Sequence, residues 1–151
     1  MVINPHTFKF SIITLFWKQN KWHKHGVLVH TLKVAYHVIA SKNYKMIPAA
    51  FLHDIGKPGV SYQDEEDIEL NTYSFTDHEE RSYQLIKNFS FISDYTKNLV
   101  RYHYLIRDMS NCKRKGMFER YAQKKDAWDS LTPEFQKDLE IFIKLDDKGK
   151  Q

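Results

Sequence analysis

Cysteine is almost missing from this chain: Cys112 stands alone among 151 residues. A single thiol excludes an internal disulfide framework and suits a reducing compartment, which points to the cytoplasm. Cys112 itself lies in a polar, basic stretch and reads as a bystander. Also missing is any apolar run close to the roughly 20 residues that a membrane-spanning helix needs. The apolar stretch from Phe10 to Trp17 lacks a basic flank and a small-residue cleavage site. That argues against a signal peptide and for an N-terminal core helix. There is no internal repeat, no low-complexity linker and no convincing strand alternation. What these absences leave is one all-α domain over residues 1–151, a compact helical bundle.

What is present fits that frame. Hydrophobic residues make up 42% of the chain, enough for a core and too many for a disordered segment. A net charge of +4 favours acidic partners such as nucleotides or nucleic acid. Val27, Val34, Ala35, Val38 and Ile39 recur at helical spacing, which predicts a helix over 27–40. A second, very apolar helix follows over 46–54, ended by Gly56 and Pro58-Gly59. The acidic stretch 60–75 reads as a long loop with at most a short helical turn, well placed to cover a site. Thr76 or Asp77 caps a helix reaching about Asn88, and Ser93 to Ile106 forms another. Residues 111–125 are basic and weakly patterned. Thr132 as N-cap with Pro133 in the first helical position opens the last helix, which carries Phe135, Leu139, Ile141, Phe142 and Leu145.

The chemistry concentrates at His53-Asp54. An imidazole and a carboxylate side by side at the end of the run Ile47 to Leu52 are costly unless something pairs with them. A divalent metal is the most economical partner. His30, between Val29 and Leu32 on the first long helix, His78 at the start of the third, His103 within the fourth and Asp146 near the end of the last complete a set. A bundle that joins these faces makes one cluster of four imidazoles and two carboxylates. Such mixed ligation suits manganese, iron, nickel, cobalt or zinc, admits magnesium, and disfavours calcium. One ion fits, or two that share Asp54. Taken singly, His78, His103 and Asp146 have ordinary readings as a cap, a core imidazole and a solvated acid; His53-Asp54 does not. His37, one heptad after His30, reads as structural.

In their order, these residues resemble the HD superfamily of metal-dependent phosphohydrolases. The likeness runs from about residue 22 to 150 and centres on Ala49-Ala50-Phe51-Leu52-His53-Asp54-Ile55-Gly56-Lys57-Pro58. It is similar above all to the HD domain attached to bacterial tRNA CCA-adding enzymes. The elements that carry this are Trp22-His23 with Gly26, His30-Thr31-Leu32, His78-Glu79-Glu80-Arg81, Arg101-Tyr102-His103 and Asp146-Asp147-Lys148-Gly149. The resemblance implies His30, His53, Asp54 and Asp146 as primary ligands, with His78 and His103 at positions that hold a second metal in dinuclear members. Asp77 stands where the family usually has glycine, and Tyr104 follows His103 where many members have a second histidine. No nucleotidyltransferase part is present in the chain, so tRNA repair is not carried over.

The expected activity is hydrolysis of phosphomonoesters or phosphodiesters, cyclic ones included, of nucleotides by a metal-activated water. Asp54 is the catalytic carboxylate, and Lys57 the catalytic and phosphate-binding cation, or else a cation at a helix C-terminus. His23, Arg81 and Arg107 are candidate substrate contacts, since arginine grips phosphate bidentately. The basic run Lys113-Arg114-Lys115, with Arg120, Lys124 and Lys125, is either a polyanion surface or a solvated face, and Phe118 or Tyr121 offers a ring for stacking. Small nucleotides are favoured over long nucleic acid as partners. Two other readings compete: a non-catalytic nucleotide- or protein-binding HD module, and a di-iron oxygenase variant. Nothing in the sequence indicates an oligomeric state.

Overall fold

The computed structural model describes Gln19 and residues 26–151, and within them helices dominate. In chain order these are α1 (Val27–Ala40), α2 (Ile47–Leu52), α3 (Glu65–Leu70), α4 (His78–Ile86), α5 (Asp94–Tyr102), α6 (Leu105–Arg114), α7 (Phe118–Asp129) and α8 (Pro133–Gly149). Two-residue strands β1 (Ser61–Tyr62) and β2 (Ser74–Phe75) pair antiparallel, with Ser61 opposite Phe75 and Tyr62 opposite Ser74. The all-α expectation holds. The predicted N-terminal helix, with Trp22 and His23, lies outside the described residues. No helix among the described residues is long and apolar enough to cross a membrane.

α1 forms as its pattern predicts. Val27, His30, Thr31, Val34, Ala35 and Val38 share its buried face, which packs on α8 and α2. Ile39 does not join them: one residue past Val38, it is turned about 100° round the axis and stays half exposed. The core gathers Val34, Val38, Met46, Ala49, Ala50, Leu99, Val100, Leu139 and Phe142, none of them measurably exposed. α8 starts where expected, with the Thr132 hydroxyl accepting from the Phe135 N–H at 3.3 Å and Pro133 in the first turn.

Three local expectations differ. The stretch 60–75 is not a plain loop but the β1–β2 hairpin with α3 set into its connection; Asp64 caps α3 by accepting from the Asp67 N–H at 2.8 Å. The single helix expected over 93–106 is two, α5 and α6, broken at His103-Tyr104. The side chains of Thr76 and Asp77 do not cap α4. Asp77 adopts φ 55°, in the left-handed region that glycine favours and that aspartate tolerates. Asp77 thus holds, without being glycine, a conformation that glycine adopts most readily.

Candidate metal centre

Five elements aim side chains at one point. His30 sits one and two turns before Val34 and Val38 on α1's buried stripe. His53 and Asp54 follow the last turn of α2, His78 opens α4, His103 closes α5, and Asp146 lies one turn beyond Phe142 on α8. All six are buried. The sequence-predicted constellation is therefore assembled from helices that meet only in three dimensions.

The donor atoms form two nests. In the first, His30 Nε2 lies 3.3 Å from His53 Nε2, 2.9 Å from Asp146 Oδ1 and 3.5 Å from Asp54 Oδ2. His53 Nε2 lies 3.3 Å from Asp54 Oδ2 and 3.4 Å from Asp146 Oδ1. In the second nest His78 Nε2 is 3.3 Å from His103 Nε2 and 3.4 Å from Asp54 Oδ1. Asp54 thus gives one carboxylate oxygen to each nest.

Each imidazole but His30 is oriented by a carbonyl three residues back. The Nδ1–H groups of His53, His78 and His103 donate to Ala50 O (2.9 Å), Phe75 O (3.0 Å) and Val100 O (2.7 Å). That leaves Nε2 facing inward on all three, the arrangement that holds a metal-ligating histidine in place. The His103 bond also accounts for the break between α5 and α6, since the ring folds back on its own last turn.

The donor set fits a divalent ion. Ligand atoms about 2.0–2.1 Å from one ion lie about 3.0 Å apart at right angles and about 3.4 Å apart at tetrahedral angles. The separations of 2.9–3.5 Å in the first nest span that range. His30, His53 and Asp54 form one group able to hold a metal, and Asp54, His78 and His103 another. Nε2 lone pairs that face each other at 3.3 Å repel unless a proton or a cation lies beside them. Burial depresses the His53 pKa, yet Asp54 and Asp146 outweigh it and lift the value to about 9. A proton there does the work that a metal takes over, since binding releases it. Away from Asp146, burial wins: His78 falls to about 4 and His103 to about 3. Burial raises Asp54, but His53 and Lys57 hold its carboxyl well below the usual range. Asp146 is held low in the same way, against burial, by His30, His53 and Lys150.

The nests open into a cleft of about 750 Å³ lined by Asp54, His78, His103 and Asp146 and, further out, by the hairpin and α6. The remaining predicted residues distribute unevenly. Lys57 is buried, with Nζ 2.6 Å from Asp54 Oδ2 and donating to Gln19 Oε1 at 2.5 Å, so its charge is directed at the shared carboxylate. Arg107 lines the cleft, ion-paired to Asp147 with its guanidinium 5.7 Å from the Tyr104 ring centre. Arg81 does not line it: on α4 His78 and Ser82 turn to the centre, and Arg81 is half-buried to one side. His23 lies outside the described residues. Of the basic run, Arg120 pairs with Asp77 and Asp108, Lys124 with Asp108, and Lys125 with Asp129. Phe118 and Tyr121 do not line the cleft. His37 meets the Tyr36 ring edge-on and belongs to neither nest.

Sequence reasoning missed several supports. Ser82 accepts from the Gly56 N–H (2.9 Å) and donates to His53 O (2.8 Å), tying α4 to the ligand loop. Gly56 carries no side chain because a Cβ there would lie 2.4 Å from Ser82 N and 2.8 Å from His78 O. Lys150 Nζ lies 2.9 Å from Asp146 Oδ2, one turn away, a spacing that was readable.

The chain matches the HD domain family over residues 27–142. That span is most of the chain and holds five of the six clustered ligand residues. The chain belongs to the HD-domain family. Asp146 lies just past the matched span and rests on the geometry above. HD domains are in general metal-dependent hydrolases of phosphate esters, and the two clustered groups accord with that chemistry. No curated protein and no solved structure matches the chain.

Proposed function

We propose that this HD domain hydrolyses phosphomonoester or phosphodiester bonds of nucleotides, with divalent ions held by His30, His53, Asp54 and Asp146 and by Asp54, His78 and His103. The observation that carries this reading is the division of the Asp54 carboxylate: one oxygen faces each pair of inward-turned Nε2 atoms. Ions bound there supply Lewis acidity, lowering the pKa of a water and polarising phosphoryl oxygens. The residues do the rest. Asp54 is held ionised by His53 and Lys57, so it is fit to orient a water by accepting its hydrogen bond. The three carbonyl-anchored imidazoles keep their lone pairs fixed, so little reorganisation follows when charge develops on phosphorus-bound oxygens. Lys57 and Lys150 keep the two carboxylates anionic, and Arg107 stands at the cleft wall within reach of a phosphate. Within the family, the motif order from His30-Thr31-Leu32 to Asp146-Asp147-Lys148-Gly149 supports a kinship with the HD domain of bacterial tRNA CCA-adding enzymes.

Loading the protein with manganese, iron, nickel, cobalt, zinc or magnesium, then screening phosphate release from mononucleotides and ring opening of 2′,3′- and 3′,5′-cyclic nucleotides to mononucleotides, tests this. We expect turnover with at least one ion, and loss of both turnover and bound metal in Asp54→Asn. An Asp54→Asn protein of full activity refutes the assignment.

A further inference from the structure

The cleft continues well beyond the metal centre, and one helix supplies most of its outer wall. Tyr104, Arg107, Asn111 and Arg114, spaced three or four residues apart, lie on one face of the segment that starts at His103. The ten residues of α6 carry this face about 15 Å outward. The charges along it are not equivalent. Arg107, Arg120 and Lys150 each face a carboxylate at 3.1 Å or less, and Lys57 is paired with Asp54. Arg114 and Lys115, at the outer end, are the cleft-lining cations with no carboxylate partner among the described residues. Arg114 instead donates to the Asn111 side chain at 3.1 Å, which keeps it on the cleft face. Tyr62, about half exposed, and Phe75 bring rings from the hairpin to the same cleft.

We infer that the cleft binds a short single-stranded oligonucleotide in preference to a mononucleotide, with a second phosphate held at Arg114 and Lys115. This rests on the proposed phosphohydrolase reading, which places the reacting phosphate at the inner end. Stacked nucleotides advance about 3.4 Å each, so the length of α6 corresponds to about four of them. A basic groove interleaved with aromatic rings is what a single strand requires: cations follow the backbone while bases stack. A mononucleotide bound at the metals leaves the two unpaired cations and the outer half of the cleft unused. Helix-dipole compensation at the C-terminus of α6 accounts for a cation there but not for an uncompensated pair facing a cleft.

Equilibrium binding separates this from the hydrolytic reading. Fluorescence anisotropy would follow a cleavage-resistant, end-labelled phosphorothioate pentanucleotide on the manganese-loaded full chain, with a labelled mononucleotide as reference. The pentanucleotide should bind at least tenfold more tightly than the mononucleotide. Loss of the one phosphate contact that both cations hold should flatten its logarithmic salt slope by about 0.7 in Arg114→Ala/Lys115→Ala. Both residues are exposed, and circular dichroism checks that the double variant folds. Equal affinity for the two ligands, or a double variant with the wild-type slope, overturns the inference. Tight, variant-sensitive binding with no turnover under any metal leaves it standing and refutes the hydrolase instead.

Discussion

Gly56→Ala probes the joint that brings the two nests together. Gly56 has φ −81°, so alanine meets no backbone strain there; the cost is purely steric. Its Cβ would lie 2.4 Å from Ser82 N, 2.8 Å from His78 O and 2.9 Å from Arg81 C, where ordinary contact begins at 3.4 Å. All three are backbone atoms of α4, which no rotamer change can clear. The ligand loop and α4 must separate by about 1 Å, against a packed core on the far side of both. Overpacking of this kind costs about 3 kcal/mol, the upper end of its usual range. For a domain of this size each kcal/mol lowers Tm by about 2–4 °C, so the loss should be about 6–12 °C. Separation also stretches the 3.4 Å approach of His78 Nε2 to Asp54 Oδ1 and the Gly56 to Ser82 hydrogen bond. Metal stoichiometry should therefore fall through the His78–His103 nest first. Thermal denaturation and metal analysis on the same preparation read both effects. A Tm within about 2 °C of wild type, with unchanged metal content, refutes the argument that close backbone approach positions α4.

Gly149→Ala should behave differently, because its Cβ would meet side chains: Val34 Cγ2 at 2.6 Å and the His30 ring at 3.2–3.3 Å. Alanine's better helix propensity, about 1 kcal/mol, offsets part of the crowding. We expect little change in stability but metal affinity at least tenfold weaker by titration calorimetry, as for other losses of ligand orientation; unchanged affinity counts against it. At Asp108 burial raises the pKa, yet Lys124 and Arg120 outweigh it and hold the carboxyl below its usual value. A depressed folded pKa adds stability above the unfolded value of about 3.9. That stability disappears as pH falls through the folded pKa. The stability gap between wild type and Asp108→Asn in urea melts should thus be constant near neutrality and close below about pH 4. A gap that persists in acid refutes the ion-pair account.

Part of what is encoded locally was legible. The residues buried along α1 are separated by one and two turns, and Thr132-Pro133 carries its own capping chemistry, so both helices follow from a few neighbouring residues. His53-Asp54 announced itself because its neighbours Ala49, Ala50 and Leu52 are apolar and the pair is not. The break at His103 was invisible: Tyr102 to Leu105 continues a helical pattern, and only the turn of the imidazole onto Val100 O ends α5. The paired strands Ser61-Tyr62 and Ser74-Phe75 are too short to leave an alternation.

By itself, the sequence determined the helical class, the identity of the clustering residues and, through their order, the family. Only the tertiary structure decided their division of labour. Which oxygen of Asp54 faces which imidazoles, why Lys57 is turned to that carboxylate, why positions 56 and 149 carry no side chain, and which cations of the basic run stay uncompensated all depend on distances between helices far apart in the chain. Those distances come from core packing around Val34, Leu99 and Phe142, a long-range balance that no local pattern encodes.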